Sequence, residues 1–103
     1  MKFNFDFTLT NLDGASLTDE QGIELNAART AANLIMKIPE GGPDIMVKYD
    51  WATQLHKTGT IDLDKSGQLQ FQKVLESIPN VWLSVRGQLL EVIKKRKDEL
   101  AAE

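Results

Sequence analysis

The chain opens on an alternation. Phe3, Phe5, Phe7 and Leu9 fall between Asn4, Asp6, Thr8 and Thr10. Period two with aromatic content predicts a half-buried strand. Asp13-Gly14 then marks a turn. A two-residue loop there pairs Thr10 with Leu17 and sends Leu17 to the polar face. A three-residue loop of Leu12, Asp13 and Gly14 pairs Leu9 with Leu17, both toward the core. The second register is preferred, with Gly14 in the left-handed position of a type I turn plus bulge.

Helical spacing follows. Thr18-Asp19-Glu20-Gln21 has the form of a capping box, so a first helix is expected from there. Gly22 weakens its first turn, and the periodicity improves from Ile23. Leu25, Ala28, Ala32 and Ile35 share a face, flanked by Leu34 and Ile38. Ala27, Ala28, Ala31 and Ala32 are small enough to let a neighbour approach closely. Pro39 and Glu40-Gly41-Gly42 stop this helix. Pro43 and Asp44 suit the start of a second. In it, Ile45, Tyr49, Ala52 and Leu55 form one ridge, and Val47 and Trp51 another.

Gly59 ends that helix, and Thr60-Ile61-Asp62-Leu63 reads as a short strand. Asp64 or Ser66 can cap a third helix carrying Leu69, Val74, Leu75 and Ile78. Pro79-Asn80 interrupts, and Asn80 can cap a fourth with Trp82, Val85, Leu89 and Val92, widened by Leu90 and Ile93. The order is β-β-α-α-β-α-α, an α+β domain spanning 1–103 with a polar tail from about residue 98. No low-complexity segment or internal repeat stands out. Length supports that frame, since 103 residues fit one modest core.

Composition narrows the chemistry. There is no cysteine and a single histidine, His56. Disulfides and thiolate chemistry are excluded, and imidazole chemistry is nearly so. The net charge of −3 gives no reason to expect a polyanionic partner. Lys94-Lys95-Arg96-Lys97 is the one basic cluster, but consecutive helical residues fan around the axis, and nucleic acid is not expected. No apolar run reaches the roughly 20 residues of a membrane helix. The alternating start lacks the continuous apolar stretch of a signal peptide. A cytoplasmic setting is expected.

The sharpest local motif is Asp62-Leu63-Asp64-Lys65-Ser66-Gly67-Gln68-Leu69. Asp62, Asp64 and Ser66 sit at the alternate oxygen-ligand positions of an EF-hand calcium loop. Lys73 stands where its bidentate glutamate belongs, and Gly59-Thr60 interrupts the entering helix. A strand end followed by a helix cap explains the same residues. No nucleophile, base and metal-ligand set is assembled, so no catalytic residue, cofactor or small-molecule substrate is assigned and a non-enzymatic role is expected. What remains is surface. An open hairpin edge could pair with a second copy, and the two-ridged helix offers another face. Val47, Trp51, Phe3, Phe5 and Arg86 are the interface candidates, for a protein partner or for the chain itself.

Three stretches carry a resemblance. They are the Phe3-Asn4-Phe5-Asp6-Phe7 strand with its Asp13-Gly14 turn, Tyr49-Asp50-Trp51-Ala52 leading to Ile61-Asp62-Leu63-Asp64, and Arg86-Gly87-Gln88-Leu89-Leu90-Glu91. Their arrangement resembles small proteins encoded among the structural and assembly genes of tailed bacteriophages. The resemblance implies a role in tail or capsid assembly, virion-associated or in the cytoplasm of a bacterial host. Its alternative is a small accessory protein that inhibits a host factor by occluding its surface.

Overall fold

Among the described residues, four helices surround a two-stranded antiparallel sheet in an α+β arrangement. The computed structural model describes residues 1–38, 45–79 and 81–101, with only the backbone described from residue 97. The expected helix stop at Pro39 to Gly42, the start at Pro43-Asp44 and the cap at Asn80 lie outside the described residues. The elements are β1 (Lys2–Asn4), α1 (Ala27–Met36), α2 (Ile45–Thr58), β2 (Thr60–Asp62), α3 (Lys65–Ser77) and α4 (Leu83–Ala101). The backbone expected to be a tail from residue 98 is therefore helical through Ala101.

β1 pairs with β2, not with the segment around Leu17, and Phe3 stands opposite Ile61. The long opening strand expected from Phe3 to Leu9 is broken after Phe5. Asn4 Oδ1 accepts from the Asp6 amide at 2.8 Å, and the Phe7 amide donates to the Phe5 carbonyl at 2.9 Å. These tight local bonds turn the chain, as Asn side chains do when they compete with a ladder.

Beyond that bend lies a three-way junction. The Leu9 amide donates to Leu25 O, Leu17 to Leu9 O, and Leu25 to Leu17 O, each at 2.8 Å. Three short antiparallel arms leave this ring, marked by bridges Thr8–Asn26, Thr10–Ser16 and Thr18–Glu24. Two arms are copies of one another, eight residues apart. Asn11 Oδ1 accepts from Asp13 and Ala15 amides, and Asp19 Oδ1 from those of Gln21 and Ile23. Gly14 and Gly22 close the two turns at φ +88° and +80°. The Leu9–Leu17 register and the left-handed Gly14 are as expected, but as isolated bridges and not as a second strand. The octad Leu-Thr-Asn/Asp-x-x-Gly is a real internal repeat, contrary to expectation. It also displaces the capping box: Asp19 spends its carboxylate on a turn, and α1 begins only after Asn26, whose side chain accepts from Arg29 N.

The core gathers one face of each element. Phe71 is central, with Phe5 edge-on at 5.9 Å and Trp51 edge-on at 5.2 Å between ring centroids. The alanine face of α1 is buried, and α1 packs chiefly on α2, the close approach that small residues permit. Two expected stripes shift. In α3 the buried residues are Gln68, Phe71 and Leu75, while Leu69 is exposed. In α4 they are Val85, Leu89 and Ile93, while Trp82 precedes the helix and is exposed. Gly59 joins α2 to β2 at φ +75°, and a Cβ there would stand 2.8 Å from the Asp6 Cβ. That close approach lets Phe5 N reach Gly59 O at 2.8 Å and continue the β1–β2 pairing. Among the described residues, no helix is long and apolar enough to cross a membrane.

Candidate functional site

The expected interface residues do not share one surface. Phe3, Phe5 and Trp51 are buried and form the core, so they are not available as contact residues. Aromatics at strand and helix period satisfy a core before an interface, and the contacts to Phe71 show which demand won. Val47 is exposed, with Ile45, Met46 and Tyr49, on the first turns of α2. Arg86 is occupied inside the molecule: its guanidinium donates to the carbonyls of Ile78 and Glu76 at the end of α3. A cation there satisfies terminal carbonyls and complements the helix dipole.

The calcium-like segment is not a loop. Asp64 Oδ1 accepts from Gly67 N at 2.6 Å and caps α3, so Ser66 and Gly67 already belong to its first turn. The Asp62 carboxylate accepts from the Met1 amino group at 2.9 Å. That bond and the adjacent positive charge hold the Asp62 carboxyl below the usual carboxylate range. Asp62 and Asp64 thus have separate structural partners, and Ser66 lies in the first turn of α3. Among the described residues, no group of three or more His, Asp or Glu side chains is placed to hold a metal. His56 is exposed in the last turn of α2.

Two open grooves flank α4, and Gln88 lines both. The larger, about 1000 Å³, runs between α4 and the tip of the first hairpin arm, with Leu12, Leu83, Gly87 and Leu90 in its lining. Gln88 fixes this arm to the helix. Its Oε1 accepts from Thr10 N at 3.0 Å and its Nε2 donates to Thr10 O at 2.6 Å. One side-chain amide thus completes the edge of the arm as a neighbouring strand would. Leu12 is 104% exposed, Leu83 85%, and Trp82, one residue before, 68%. Leu12 and Leu83 were not singled out by sequence reasoning. A signal existed: Leu12 occupies the octad position that Glu20 holds in the second copy, so an apolar residue stands where the turn needs only a polar one.

The smaller groove, about 480 Å³, lies between β1 and α4 and is lined by Lys2, Phe3, Asn4 and Phe7 on one side and Glu91, Val92, Lys95 and Arg96 on the other. Lys95 and Glu91 are an exposed ion pair at 3.1 Å along α4. The basic cluster therefore spreads around the helix as expected: Lys94 lines the larger groove, and Lys95 and Arg96 the smaller.

Comparison with family models, with curated proteins and with solved structures finds no match.

Proposed function

We propose that the chain is a non-enzymatic protein–protein interaction and assembly protein that self-associates through the Leu12–Trp82–Leu83 rim. The observation that carries this reading is that apolar rim. Leu12 and Leu83 stand open in the lining of one groove, and the exposed Trp82 adjoins Leu83 along the chain, although a 0–5% exposed aromatic cluster lies in the same small molecule. Isolated exposed leucines are ordinary, but an exposed tryptophan and two leucines in adjacent elements form the kind of surface that binding covers. The exposed first turns of α2, with Val47, supply a second apolar face for building larger assemblies. The phage resemblance of the sequence agrees with an assembly role and supplies the setting, a virion component or accessory protein of a tailed phage.

Static light scattering across micromolar concentrations tests the proposal. The wild-type chain is expected to exceed its 11.5 kDa monomer mass. The Leu12→Asp/Leu83→Asp double variant is expected to remain monomeric and folded. A wild-type chain that stays monomeric, or a double variant that associates unchanged, counts against it.

A further inference from the structure

Among the described glycines, all but one have a reason within the chain. Gly14, Gly22 and Gly59 have positive φ. A Cβ on Gly67 would meet Asp64 Oδ1, the oxygen that caps α3, at 3.1 Å and Leu63 at 3.4 Å. Gly87 has neither reason. It lies inside α4 with helical backbone, and a Cβ there would meet nothing within 4 Å. Glycine is a poor helix former, so Gly87 weakens α4 without sparing any contact of the monomer. Its neighbours show what the bare backbone faces. Leu83, Gly87, Leu90 and Lys94 follow one another at the alternating four- and three-residue spacing of a coiled-coil seam, and all four line the larger groove. This seam lies about 130° around α4 from the buried stripe Val85, Leu89 and Ile93. The outward face of α4 therefore carries two leucines with a notch between them.

We propose that two copies of the chain associate by crossing their α4 helices antiparallel about a two-fold axis at Gly87. This rests on the self-association reading and gives it a geometry. A two-fold contact needs one face that is complementary to itself, and this face holds both the notch and the side chains that flank it. Each Leu83, four residues before Gly87, meets Leu90 and Glu91 of the second copy, three and four residues after it. The missing Cβ lets the two backbones approach at the axis. Leu12, fully exposed on the arm that borders the same groove, covers the flank of the crossing. Charge sets the direction. Glu91 is paired with Lys95 along α4, and Lys94 is the remaining charge in the lining. A parallel crossing would bring the two Lys94 together, whereas the antiparallel one holds them about 20 Å apart along the axis. A lining with so little charge gives no hold to a strongly charged ligand, and its apolar seam matches its own copy.

The test is static light scattering of Gly87→Leu against the wild-type chain. Leucine favours the helix, enters open space in the monomer and adds apolar surface to the groove. A general apolar patch would then associate more tightly, but a close crossing at Gly87 is blocked. The dissociation constant of the variant is expected to rise by about tenfold or more, with the thermal midpoint of the dilute chain no lower than that of wild type. Association as tight as wild type, or tighter, overturns the crossing. If the Leu12→Asp/Leu83→Asp variant is still monomeric in that case, the rim reading stands and only its geometry falls. A wild-type chain that stays monomeric overturns both, and leaves the seam to a helix of another protein. The direction has its own readout, because the chain contains no cysteine. Lys94→Cys is expected to run as a monomer on a non-reducing gel after mild oxidation at associating concentrations, and a disulfide-linked dimer overturns the antiparallel crossing.

Discussion

The two tryptophans divide the molecule. Trp51 is 5% exposed and packs edge-on against Phe71, with Phe5 on another side of the same ring. Trp82 is mostly open, next to Leu83 and facing outward from the start of α4. Both were placed on apolar ridges of helical period. The difference is what each ridge meets. α2 runs its C-terminal half across the sheet and α1, whereas the core stripe of α4 begins at Val85 and leaves Trp82 one turn short of cover. An apolar period shows that a face exists; it does not show where along the element the core stops.

The comparison breaks first at Trp51. Trp51→Ala is expected to cost about 3–5 kcal/mol of stability in urea denaturation, because a large ring leaves a cavity beside Phe71. Trp82→Ala should stay within about 0.5 kcal/mol of wild type, as exposed substitutions do, while weakening self-association. Equal losses would erase the distinction. The hairpin arms supply the next effect. Asn11→Ala and Asp19→Ala each remove an acceptor of two turn amides, and each should cost about 1–2 kcal/mol. Comparable costs support the equivalence of the two octads, and a neutral Asp19→Ala would contradict it. Gln88→Ala should cost about 1 kcal/mol and speed amide exchange at Thr10, because the edge bonds at that residue are lost. The smallest effect is acidic. The Asp62 contact contributes above the ordinary carboxylate range and is lost only as pH falls through that group's lowered pKa. Asp62→Asn should flatten that last part of the acid unfolding curve, and an unchanged curve would remove the contact from the account.

Much of the fold was legible. Four helices, the turn at Gly14, the Leu9–Leu17 register, the Asp64 cap and the short strand at Thr60 all follow from local signals of spacing, caps and turn residues. The partner of β1 did not, because pairing across nearly 60 residues leaves no local trace. The capping box at Thr18 misled for a different reason. Thr-x-x-Gln and Asp-x-x-Gly overlap there, and the positive φ at Gly22 lets the turn win. Reading Leu9, Leu17 and Leu25 together would have shown the repeat and settled the conflict. The candidate site was less legible. Residue type marked Phe3, Phe5 and Trp51 for contact, but burial claims them. Arg86 looked free in sequence because the carbonyls it binds belong to another helix.

The central claim is that the rim around Trp82 is where copies meet, and Trp82 itself can report it. In a Trp51→Phe background the emission comes from Trp82 alone, because the chain has two tryptophans. Emission should move to shorter wavelength over the same concentration range in which light scattering shows the mass rising above the monomer. Emission that stays constant while the mass rises would place the contact elsewhere and contradict the account.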